Sequence, residues 1–98
     1  MKTIDEIKKD LGYIQEFYRH KHMIGDPAKV VYPKNFKLTL ETYDGAASQA
    51  SEKLARVYAG IYQGNKTQKQ LAAEWDITEK YIQILHKRLL LFLQEQIA

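Results

Sequence analysis

The chain contains no cysteine, which excludes disulfides and thiolate zinc sites and leaves the fold to packing alone or to pairing with a second copy. Proline occurs twice and glycine five times, too sparse for a collagen-like or Pro/Gly-rich disordered chain. No apolar run approaches the roughly 18 residues that a membrane-spanning helix needs. The start of the chain carries Lys2, Asp5, Glu6, Lys8 and Lys9 where a secretory signal has an apolar core, so a cytoplasmic protein with no membrane partner is expected. Nor is there a glycine-rich phosphate loop. The acidic residues are scattered, and Ser48 and Ser51 lack a histidine in a nucleophile setting. His20 and His22, with Asp26 beyond, stand two apart and project away from each other on a helix. These absences argue against an enzyme, a bound metal or a cofactor.

What remains is a chain of 98 residues, 45% hydrophobic and 28% charged, which suits one small globular domain. Its net charge of +3 fits a nucleic-acid partner without requiring one. Because no basic tail exists, any such contact must come from a folded surface.

Thr3 and Glu6 have the spacing of a capping box. The apolar residues Ile4, Ile7, Leu11, Ile14 and Tyr18 then recur at steps of three and four, the period of a seam between helices. Tyr13, Phe17 and Met23 add a second stripe, more apolar surface than a lone helix on a small domain covers. A partner helix from a second subunit is expected to cover it, the alternative being the C-terminal half of the same chain. After Gly25-Asp26-Pro27, Val30, Val31 and Tyr32 form a short β-prone run closed by Pro33. A strand this short needs pairing, and the same strand of a second copy would supply it. Phe36, Leu38, Leu40 and Tyr43 extend the apolar pattern at a period of two or more, which suggests an extended connection with a second strand over 37–42, ended by a turn at Asp44-Gly45.

From about residue 46 to Gln63, Leu54, Val57, Tyr58 and Ile61 recur at helical spacing before a Gly64-Asn65 stop. Thr67 and Gln70 form a second capping box, opening a short helix through Trp75. Only Asp76 and Ile77 intervene before Thr78 caps a third helix, with Ile82, Leu85, Leu89 and Phe92 on one face. Ala72 at the helix approach, Ile77 in the turn, and Ile82 and Leu85 behind it stand at the offsets of a helix-turn-helix. On that reading Thr78, Glu79, Lys80, Gln83 and Lys87 point away from the core as candidate base contacts, with Ile84 among them and Tyr81 at the margin. Gln83 can pair with adenine, Lys80 can donate to guanine, and Glu79 can accept from cytosine. Lys66, Lys69 and Arg88 flank them as candidate phosphate contacts. The apolar tail Leu89–Leu93 is expected in the core or in a subunit contact.

The segments Val31-Tyr32-Pro33-Lys34, Ile61-Tyr62-Gln63-Gly64-Asn65 and Leu71-Ala72-Ala73-Glu74-Trp75-Asp76-Ile77-Thr78-Glu79-Lys80-Tyr81-Ile82 resemble the Mor transcription activator family, regulators of phages and mobile elements named for the middle operon regulator of phage Mu. Aligned on Pro33, the strand tyrosine of that family falls on Val31, with Tyr32 beside it on the other face. The resemblance implies a mainly α fold with an N-terminal helical dimerisation region, a short intersubunit β-strand and a C-terminal three-helix helix-turn-helix domain. Residues 1–45 would hold the dimerisation helix, strand and linker, and 46–98 the DNA-binding domain. The dimer interface would comprise Ile4, Ile7, Leu11, Ile14, Tyr18, Val30, Val31 and Tyr32. The expected function is an activator of a phage or mobile-element operon, binding an inverted repeat in double-stranded DNA as a homodimer, with RNA polymerase as a further partner. The competing reading is a helix-turn-helix interaction module that binds polymerase or another regulator without reading DNA.

Overall fold

A computed structural model describes residues 2–21 and 32–97. Among these residues five α-helices follow one another: α1 (Ile4–Lys21), α2 (Phe36–Ser48), α3 (Glu52–Tyr58), which runs on into a π-helical turn (Ala59–Gln63), α4 (Gln68–Trp75) and α5 (Glu79–Ile97). The chain is mainly helical, and no strand occurs among the described residues. No helix among them is long and apolar enough to cross a membrane.

The capping signals form as their spacing predicts. The Thr3 N–H donates to Glu6 Oε1 at 3.1 Å and the Glu6 N–H to Thr3 Oγ1 at 3.2 Å, which also holds the Glu6 carboxyl below its ordinary value. Ser51, which the sequence did not mark as a cap, accepts from the Leu54 N–H and opens α3, so this helix starts at Glu52 and not near residue 46, which lies in α2.

The α1 seam requires a correction. Ile7, Leu11 and Ile14 are fully buried within the single chain, against the π-helical turn and α5, and Ile4 and Tyr18 pack on the same cluster. The chain's own C-terminal half covers the stripe, so these residues are not an open dimer face. Polar contacts reinforce the fit. Gln15 Nε2 donates to the Ile61 carbonyl at 3.2 Å. The Asn65 amide, on a residue with φ 56°, reaches the Gln15 carbonyl and the Arg19 N–H at 3.1 Å each when its nitrogen faces the carbonyl.

The extended connection over 37–42 is also overturned, since these residues lie in α2. Phe36, Leu40, Tyr43 and Ala47 have the helical spacing and pack inward, whereas Leu38, which created the alternation, is 64% exposed. Asp44 and Gly45 sit inside this helix instead of forming a turn. Gly45 meets nothing where a side chain would stand. Asp44 looks inward: its carboxylate accepts from the Tyr18 hydroxyl at 2.6 Å, from the Tyr58 hydroxyl and from Gln63 Nε2. Tyr58 is thereby raised well above the usual phenol value, and Tyr18 is pushed up to about 12, in each case by burial first and Asp44 second. Of the expected strand, Val30 and Val31 lie outside the described residues, as do Met23, His22 and Asp26. Tyr32 is in irregular backbone, its ring stacked on Phe36 at 4.5 Å with Phe17 at 6.4 Å, so it packs within its own chain.

One hydrophobic cluster runs from Ile7 to Leu93 through both segments of the chain. Leu89, Leu90 and Leu93 of the apolar tail are buried in it, and Leu91 is left outside. Where α5 passes the π-helical turn, Tyr62 and His86 are hydrogen-bonded. Burial pushes the Tyr62 phenol up to about 12. Burial, with Lys8 adding to it, holds His86 below its ordinary value.

Two outcomes follow from this packing. Leu11→Ala should lower the unfolding free energy by about 2–5 kcal/mol without changing the sedimentation coefficient of the folded protein, whereas a seam residue would shift association first. Because the unfolded chain protonates His86 more readily than the folded one, the stability tied to it is present above pH 6.5 and lost as pH falls below it. Melting temperatures taken from pH 7.5 down to 5 should therefore decline more steeply for the parent than for His86→Gln.

Candidate nucleic-acid interface

The surface in question is built by α4, the three residues after it and the first half of α5. Thr67 opens α4 with a complete capping box: its hydroxyl accepts from the Gln70 N–H at 3.0 Å, and the Gln70 side chain accepts from the Thr67 N–H at 2.8 Å. At the other end Asp76 takes the left-handed conformation (φ 55°, ψ 45°). Its N–H bonds the Ala73 carbonyl at 3.3 Å, while the Ile77 N–H reaches the Ala72 carbonyl at 3.0 Å. This pair of bonds is a Schellman stop, in which the residue after the left-handed one folds its side chain back on the helix. Ile77 accordingly packs on the core. Thr78 then caps α5, its hydroxyl accepting from the Tyr81 N–H at 3.1 Å.

Close approach between the π-helical turn and α4 is eased by Gly60, where an added Cβ would lie 2.8 Å from Leu71 Cδ1. Leu71 and Ala72 of α4 and Ile82 and Leu85 of α5 are all buried in one cluster, and the two helices pack together. The inward offsets read from the sequence are therefore met.

Turned the other way, Thr78, Glu79, Lys80, Gln83, Lys87 and Arg88 are all exposed. Lys80, Gln83, Ile84 and Lys87 follow i, i+3, i+4, i+7 and share one stripe. Thr78 differs from the rest, because its hydroxyl is engaged in the cap. Lys69 projects from the first turn of α4 and is exposed. Lys66 is half-buried and paired with Glu74 at 2.7 Å, so its charge is partly compensated. Among the described residues no acidic partner lies within ion-pair distance of Lys69, Lys80, Lys87 or Arg88. The outer stripe thus offers two lysines and a glutamine amide for donation, Glu79 as an acceptor, and the half-exposed Ile84 for apolar contact.

Sequence reasoning passed over Lys53 and Arg56. They stand on α3 beside the junction, where Lys53 Nζ lies 5.7 Å from the centre of the Tyr81 ring and the Arg56 guanidinium 6.0 Å from that of Trp75. Their spacing of three on the polar side of a predicted helix was the available signal, but the ring partners come from α4 and α5. His20 lies 3.5 Å from Glu16 on its own helix, and His22 is outside the described residues.

No family model, curated protein or solved structure matches this chain.

Because Asp76 occupies a conformation that a β-branched residue resists, Asp76→Val should lower stability by about 1–2 kcal/mol, whereas Asp76→Gly should hold or raise it. Urea denaturation of the two variants beside the parent measures both changes.

Proposed function

We propose that this protein is a sequence-specific DNA-binding regulator of transcription, with α4 and α5 as its helix-turn-helix and the outer stripe of α5 lying in the major groove. The observation that carries the reading is the α4–α5 junction: a Schellman stop at Asp76 and an immediate Thr78 cap leave Lys80, Gln83 and Lys87 outward on one face. Gln83 is suited to adenine, Lys80 and Lys87 to guanine or phosphate, and Glu79 to the cytosine amino group. Lys69 and Arg88 are suited to phosphates on either side, while Lys66 has first to leave Glu74. Kinship with the Mor activators, an activating role and a phage or mobile-element operon belong to the same proposal and rest on the sequence resemblance.

Binding of an inverted repeat needs two copies. Since Ile7, Leu11 and Ile14 are buried within the chain, a two-fold pairing on this reading uses a surface other than that seam. Selection from randomised duplexes separates the cases: a pair of copies returns half-sites about 34–36 Å apart or a multiple of that, and a single copy returns one half-site.

A second reading, an interaction module for polymerase or another regulator, is favoured by Ile84 and Leu91, which are 44% and 47% exposed on the outer side of α5. Fluorescence anisotropy on the selected duplex decides between them. Gln83→Ala and Lys80→Ala should each lose about 1–3 kcal/mol of discrimination with the fold intact. Lys69→Ala should weaken binding to all sequences alike and reduce the salt slope by about one. Equal affinity and selectivity of the Gln83 and Lys80 variants and the parent would assign α5 to the second reading.

A further inference from the structure

A cleft of about 490 Å³ opens between α3 and the α4–α5 junction, lined by Lys53, Arg56, Trp75, Ile77, Tyr81 and Leu85. Its volume lies within the range of small-molecule sites, roughly 300–1,000 Å³. Its chemistry is split. Ile77 and Leu85 supply aliphatic surface, Trp75 and Tyr81 supply two aromatic rings, and two cations come from consecutive turns of α3. Each cation leans toward a ring instead of engaging an acid closely. Lys53 Nζ lies 3.4 Å from the Tyr81 hydroxyl, and the nearest carboxylate to Arg56, that of Glu52, is 4.0 Å away between two well-exposed side chains. A concave apolar surface with two such cations at its edge is complementary to a flat apolar body that ends in an anion.

We propose that this cleft binds a small planar aromatic carboxylate, its ring system against Trp75, Ile77 and Leu85 and its carboxylate between Arg56 and Lys53. A second hollow shares Arg56 and Trp75 with the cleft, but the two rings and the two cations come together in the first, which favours a small molecule over a docked peptide segment. An occupant touches the last residue of α4, the turn and the first turn of α5 together. The assignment concerns the protein without DNA and stands independently of whether α5 reads bases.

Trp75 is the sole tryptophan, so one indole N–H resonance in a ¹H–¹⁵N spectrum reports the cleft directly. Benzoate, 2-naphthoate and indole-3-acetate would be titrated into the whole protein, each beside its neutral primary amide, with equilibrium dialysis as a second reading of affinity. At least one acid should shift the Trp75 indole resonance saturably and bind at least ten-fold more tightly than its amide. The double variant Arg56→Gln, Lys53→Gln alters only exposed ends and should keep its helical circular dichroism while losing that acid at least ten-fold. Three results would each overturn the proposal: no saturable binding of any acid up to 10 mM (roughly 3 kcal/mol of affinity), equal binding of acid and amide, or equal binding by parent and double variant. Tighter binding of the peptide acetyl-Glu-Phe-Glu-amide than of every free acid would overturn the small-molecule assignment in favour of a protein partner.

Discussion

The burial of one face of α1 against its own chain is the interaction on which the other features rest. Ile7, Leu11 and Ile14 retain no exposed surface, and burying side chains of this size contributes roughly 1.5–3 kcal/mol each. Apolar contact alone does not fix register along a helix, and the polar contacts do. Gln15 and Asn65 join α1 to the π-helical turn and the residues behind it. Asp44 joins α1, α3 and that turn from its place on α2, while the Tyr43 hydroxyl donates to Asp10 at 2.6 Å. Hydrogen bonds to a charged group contribute about 1.5–3 kcal/mol when both partners are present. The Gly64-Asn65 segment therefore does more than end a helix, because it anchors the C-terminal half to α1.

With α1 in place, α5 divides its labour along its length. Leu89, Leu90 and Leu93 complete the core against α1 and α2, which fixes the far end of the helix. Its near end is set by the Asp76 stop and the Thr78 cap, and Ile82 and Leu85 hold it down on α4. Support at both ends holds the intervening outer stripe rigid, the preorganisation that a recognition surface needs. The side chains on that stripe are long and polar, with their charges unpaired among the described residues, so binding need break few existing contacts. Lys66 is the exception, since on the proposed reading its bond to Glu74 would have to be exchanged.

Local signals were legible in the sequence wherever the chemistry was itself local. Both capping boxes, the Gly64-Asn65 stop and the Leu71–Leu85 offsets depend on residues a few positions apart, and each could be read from spacing. The α1 stripe was equally visible, but an apolar stripe states only that it must be covered. Whether the cover is a second copy or the same chain depends on α5 and the π-helical turn, many residues away. In α2 two patterns competed: Phe36, Leu38 and Leu40 alternate, while Phe36, Leu40, Tyr43 and Ala47 keep helical spacing, and the exposed Leu38 favoured the wrong one. Asp44-Gly45 has the composition of a turn, yet two tyrosine hydroxyls reward Asp44 inside a helix, a tertiary effect that overrides propensity. The cleft beside the junction was hidden for the same reason, since its cations and rings come from three different helices.

The central claim, that the outer stripe of α5 meets double-stranded DNA, is tested most directly by following the backbone amide resonances of labelled protein as a selected duplex is added. The account predicts that the largest shifts cluster between Thr78 and Lys87, with Lys69 at the start of α4, and that the amides of Asp5, Lys9 and Glu95 stay in place. Shifts gathered on α1 or α2, or a spectrum left unchanged by a duplex in excess, would contradict it.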